Sequence, residues 1–110
     1  MSAAAKVNLD IDQGSTFYYR VNLLDTGGNA LNLTGYTGNA QVRTSYTSNN
    51  STAMVVTITG NTGLVELTMN AATTATLTRN RYVYDVELNY SGIVARIMEG
   101  VVSVSPNVTR

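Results

Sequence analysis

The sequence predicts a single antiparallel all-β domain, a sandwich spanning residues 1–110. Two observations carry the prediction. Apolar and polar residues alternate with period two along most of the chain, and clusters rich in Gly, Asn, Asp and Ser separate the alternating runs. A third limits it: only 70–78 departs from the alternation, which leaves room for one short helix.

Val7, Leu9 and Ile11 alternate with polar neighbours, and after Gln13-Gly14 the pattern resumes with Phe17, Tyr19, Val21 and Leu23. Two strands joined at a tight bend are expected. Asp25-Thr26-Gly27-Gly28-Asn29 reverses the chain, because Gly and Asn accept positive φ and Asp bonds its own backbone. A short Leu31/Leu33 segment leads past Gly35 to a strand in which Ala40, Val42, Thr44 and Tyr46 alternate, followed by an exposed loop at 47–51. Met54, Val56 and Ile58 then line one face of a strand that turns at 60–63 into another with Val65, Leu67 and Met69 on its apolar face, a hairpin.

Within 70–78, Ala71, Ala72 and Ala75 favour helix, and Asn70, Thr73 or Thr74 can cap a single turn, so a helical crossover is expected near 71–78. Tyr82, Tyr84, Val86, Leu88 and Tyr90 share one strand face, and the tyrosines are assigned to the core. Ser91-Gly92 turns the chain into 93–98 as a second hairpin. Gly100 interrupts the last strand as a bulge before Val102 and Val104 carry it to Pro106. The count and spacing describe an immunoglobulin-like β-sandwich of seven to eight strands. Residues 1–5 precede the first alternation and are expected to be flexible.

Composition narrows the function. Seven Lys+Arg balance seven Asp+Glu, and charged residues are 13% of the chain, about half the usual share. No long-range field gathers phosphate or anionic lipid, so neither nucleic acid nor membrane is an expected partner. Zero net charge leaves little repulsion between copies, which favours a homo-oligomer. With no His and no Cys, the usual general base, the thiol nucleophile and the commonest metal ligands are missing. No catalytic residue, metal or cofactor is expected. The opening 1–6 lacks the apolar stretch of a secretory signal, and the sequons at Asn32, Asn49, Asn50, Asn89 and Asn107 follow from an Asn- and Thr-rich composition.

Carboxylates offer the remaining chemistry. Asp85 and Glu87 lie two apart on one strand face, as a glycosidase pair would, but that spacing also describes a solvated face on which Arg96 is a cross-strand ion partner. Asp10 and Asp12 begin like a calcium loop, yet Gly14 and Val21 stand where further oxygen ligands belong. Tyr19 follows the apolar face and Tyr18 points the other way, which makes Tyr18 an interface residue. The arginines are scattered, and suit bidentate contacts that pin loops or subunits. Candidate interface residues are therefore Tyr18, Arg20, Arg43 and Arg96.

Ile11-Asp12-Gln13-Gly14-Ser15-Thr16-Phe17, Asp25 with Gly27-Gly28, Leu33-Thr34-Gly35-Tyr36 and Gln41-Val42-Arg43 resemble the opening of small β-sandwich virion proteins of tailed, often marine, bacteriophages. Gly63-Leu64-Val65-Glu66-Leu67, Thr74 with Leu77, Tyr82–Leu88 and Gly100–Pro106 are similar to the closing strands of that domain, the N-terminal type of phage baseplate upper proteins. The resemblance implies a virion structural protein of tail, baseplate or capsid, present in the host cytoplasm before assembly. It implies action by self-association and contact with other virion proteins. The alternatives are a carbohydrate- or receptor-binding module using loops 47–51 and 89–92, and, third, a small glycoside hydrolase built on Asp85 and Glu87.

Overall fold

The computed structural model describes residues 4–109. Eight strands form one mixed sheet: β1 (Ala5–Lys6), β2 (Leu9–Asp12), β3 (Phe17–Asn22), β4 (Thr37–Arg43), β5 (Thr52–Thr59), β6 (Leu64–Met69), β7 (Arg81–Tyr90) and β8 (Ile93–Ser105). A single helical turn, α1 (Ala71–Thr74), links β6 to β7. The hydrogen-bonded order is β1-β8-β7-β4-β5-β6-β3, with β2 on the same side of β8 as β1. The sheet curls into a half-barrel around a single core cluster that includes Ile11, Leu33, Val65, Leu67, Leu77, Val86, Leu88 and Val102. Strand β5 makes the curl, pairing through Thr52–Met54 with β4 and through Val55–Thr59 with β6. One continuous sheet therefore stands where two separate layers are expected.

Three local features match the sequence. The β5–β6 and β7–β8 hairpins are present. Asn70 caps α1, its side chain accepting the Thr73 amide at 2.8 Å. The expected faces of β2, β5, β6 and β7 point to the core, although Tyr90, at the end of β7, is 46% exposed and stacks on Tyr36 instead. Tyr82 and Tyr84 are buried.

The wholly antiparallel arrangement is overturned at the N-terminus. β2 does not pair with β3; β1 and β2 run parallel to β8 in one register, from Ala5 opposite Met98 to Asp12 opposite Ser105. The bend at 13–16 is tied elsewhere. The Gln13 amide nitrogen donates to the Ala75 and Leu77 carbonyls at 3.3 and 3.1 Å, the Thr74 hydroxyl donates to the Ser15 carbonyl at 2.8 Å, and Gly14 takes φ +79° against Asn107. These contacts turn the bend into an arch, so Leu9 and Ile11 enter the core from one end of the sheet and Phe17 from the other. Ala5 is already paired with Met98, so that much of the segment expected to be flexible is strand. Residues 1–3 lie outside the described residues.

Two further expectations change. β4 stops at Arg43, because the Ser48 amide bonds the Ser45 carbonyl and the Arg43 guanidinium bonds the Ser48 carbonyl, which folds 44–48 into turns. The bulge falls at Ile97, not Gly100: Val86 faces Met98 while Glu87 faces Arg96, and the adjacent Ile97 and Met98 are both buried. Gly100 has a different task. A Cβ there would run into the Val7 carbonyl oxygen, so only glycine lets the N-terminal strand pass.

Candidate functional site

Curling leaves two strand edges facing each other across a groove of about 370 Å³, lined by Asn8, Leu9, Asp10, Asp12 and residues 15–19. Neither edge is laddered on this side, since β2 pairs only with β8 and β3 only with β6. The inward side chains Leu9 and Phe17 are buried at its floor and Tyr19 is half-buried, while Asp10, Asp12 and Tyr18 stand at its rim. Tyr18 is 50% exposed, and its hydroxyl donates to a Glu66 carboxylate oxygen. That bond holds the proton on the phenol and raises its pKa above the ordinary tyrosine value, with the carboxylate charge acting in the same direction. Arg20 lies exposed one step along the same face, in register with Glu66.

Arg43 and Arg96 lie elsewhere, on the outer face of β4, β7 and β8. They border a shallow hollow of about 280 Å³ with Gln41, Tyr46, Val83 and Asp85. The four candidate interface residues therefore fall into two places, with β5 and β6 between them in the sheet. Arg43 pins a loop, donating to the Ser48 carbonyl at 2.5 Å and the Gln41 side chain at 2.8 Å. Arg96 bridges Asp85 at 3.3 Å and Glu99 at 3.2 Å, and Glu99 also meets Lys6 at 3.5 Å. The hydrogen bond from Arg96 holds the Glu99 carboxyl below its usual pKa, and the same contact raises that of the guanidinium.

Asp85 and Glu87 do share an outward face, and Asp85 is engaged by Arg96. Among the described residues no three acidic side chains gather as a cation would require, and the Asp12 carbonyl instead accepts the Ser15 amide at 3.1 Å as part of the bend. Sequence reasoning flagged Tyr18 but missed the groove beside it, because an open edge depends on which strands pair and not on which face is apolar.

It also missed the latch over Gly100. Tyr84 lies opposite Gly100 in the β7–β8 ladder, and its hydroxyl reaches past the glycine to the Val7 carbonyl at 2.6 Å. Burial pushes the Tyr84 phenol up to about 12. The Asn8 side chain then accepts the Val101 amide at 3.2 Å, taking the place of the diverted Val7 carbonyl.

No protein-family model matches the chain, and no curated protein sequence matches it.

Proposed function

We propose that this chain is a non-catalytic virion structural protein of a tailed phage or prophage, in the tail, the baseplate or at the capsid, working by self-association and by contact with other virion proteins. The observation that carries the reading is the pair of facing, unladdered edges at β2 and β3. Rows of free backbone donors and acceptors beside an exposed tyrosine and arginine are a template for strand addition. The balanced charge supports it by leaving copies free to approach. In the same reading the curled sheet is a variant of the immunoglobulin-like sandwich whose two layers share β5.

Light scattering over a range of concentrations tests the assembly claim. The measured mass rises above the 11.8 kDa monomer; a mass fixed at the monomer throughout would count against it. Gene order tests the viral claim: neighbours encoding tail or capsid proteins are expected, and metabolic neighbours would overturn it. A carbohydrate- or receptor-binding reading is favoured by one observation. Tyr46, 75% exposed, stands beside Arg43 and Arg96 at the hollow next to loop 47–51, as an aromatic platform beside donors would. Glycan-array binding lost in Tyr46→Ala would place it first.

A further inference from the structure

We infer that the groove between β2 and β3 receives an extended segment of a partner polypeptide, a strand alternating apolar with basic residues that pairs with both edges and closes the half-barrel. The inference rests on the assembly reading and names the partner's chemistry.

The free groups can be assigned by alternation. The Val7 and Gln13 amides donate to the Glu99 and Ser105 carbonyls at 2.9 Å, so odd-numbered residues of this segment turn their backbone toward β8. Asp10 therefore turns its amide and carbonyl into the groove, and Asp12 its amide, the Asp12 carbonyl being taken by the Ser15 amide. On the other side, the Leu23 amide donates to the Gly63 carbonyl at 2.8 Å, so Phe17, Tyr19 and Val21 exchange bonds with β6. Tyr18 and Arg20 turn outward, and these two strands present their unused groups to the same space.

Direction and chemistry then restrict the occupant. Following the ladders round the sheet, β2 and β3 run oppositely, so an added strand is parallel to β2 and antiparallel to β3, or the reverse; both ladders are permitted. Its alternate side chains point down onto Leu9, Phe17 and Tyr19, which asks for apolar residues. The others emerge between Asp10 and Asp12 on one rim, both exposed and in no ion pair among the described residues, and Tyr18 and Arg20 on the other; two carboxylates against one guanidinium ask for Lys or Arg on the β2 side. An occupant bonded on both sides must also arrive with both of its own edges free. β2 and β3 of a second folded copy are each already laddered on one side, so the fitting partner is a segment that is extended and unpaired before it binds.

The test uses the full chain and three synthetic peptides: acetyl-Gly-Val-Lys-Val-Lys-Val-Gly-amide, the same peptide with Glu for Lys, and the Lys peptide N-methylated at every Val and Lys, which blocks both of its edges. Residue-resolved amide exchange is the readout. The Lys peptide slows exchange at Asp10, Asp12, Tyr18 and Arg20 by about tenfold or more, as new ladder bonds require. The Glu peptide binds about three- to tenfold more weakly, a preference that Asp10→Asn with Asp12→Asn removes. The N-methylated peptide gives no protection. Unchanged exchange at these four amides under saturating Lys peptide, or protection that survives N-methylation, would overturn the proposal. So would protection that grows with protein concentration alone, which assigns the groove to a second copy. Oligomers without peptide protection reject this occupant and keep the assembly reading; a monomer that binds the peptide keeps the occupant and rejects self-association.

Discussion

At one end of the curled sheet β8 is covered from Met98 to Ser105 by the N-terminal strands, whereas at the other end β3 has β6 on one side and an open groove on the other. Covering β8 takes three residues. Gly100 makes room, Tyr84 caps the Val7 carbonyl, and Asn8 fills the ladder position that the carbonyl leaves. Nothing comparable blunts β3: Phe17-Tyr18-Tyr19-Arg20-Val21-Asn22 has no Pro, no Lys and no bulge, the usual means by which proteins protect an edge. The edge of β8 is covered within the chain, and the outer edges of β2 and β3 are left as a surface.

The contrast breaks most sharply at Gly100. Gly100→Val drives a branched side chain into the Val7 backbone, with an expected loss of about 3 kcal/mol in urea unfolding and amide protection lost first in β1 and β2. An unchanged midpoint would mean the N-terminal strand is not held there. Tyr84→Phe leaves a half-buried carbonyl without its donor and costs about 1 kcal/mol. It also has a pH signature. Because the folded phenol titrates near 12 and the unfolded one near 10, the native state holds the proton more tightly; its contribution is complete below about pH 10 and is lost as pH rises toward 12. Denaturant titrations across that window decline in the parent and decline less in Tyr84→Phe.

Asn8→Ala leaves the half-buried Val101 amide to water and costs about 0.5–1 kcal/mol, read by the same unfolding curves. The smallest effect is electrostatic. Glu99, held low chiefly by Arg96, contributes stability at neutral pH that is lost as pH falls through its lowered pKa. Arg96→Met moves the Glu99 carboxyl back up toward the usual range in an NMR titration; a value that stays put would remove Arg96 as the cause.

How much of this was legible in the sequence follows the range of each interaction. Alternation marked the core faces of β2, β6 and β7 because a strand's two faces are set by residues two apart. The β5–β6 and β7–β8 hairpins were legible because their turns, 60–63 and Ser91-Gly92, lie between the strands they join. So was the Asn70 cap, an interaction three residues long. The partner of β2 was not legible. Leu9 and Ile11 look the same whether their strand pairs with its neighbour β3 or with β8 some ninety residues away. Gly100 was noticed and misassigned for the same reason: a glycine in a strand marks either a bulge or a close approach, and only the position of Val7 decides between them. Of the four candidate residues, Tyr18 was picked because Tyr19 follows the apolar face, and it lies beside the groove; the arginines were picked for their chemistry, and Arg20 shares the Tyr18 face while Arg43 and Arg96 are held by contacts within the fold.

That the curled sheet leaves the outer edges of β2 and β3 open to one groove is checked by residue-resolved amide exchange on dilute, monomeric protein. Strict alternation is expected on both strands beside the groove: slow exchange at Leu9, Ile11, Tyr19 and Val21, and fast exchange at Asp10, Asp12, Tyr18 and Arg20. Uniform protection along β3 in the monomer would contradict it, because the edge would then already be covered by the chain itself.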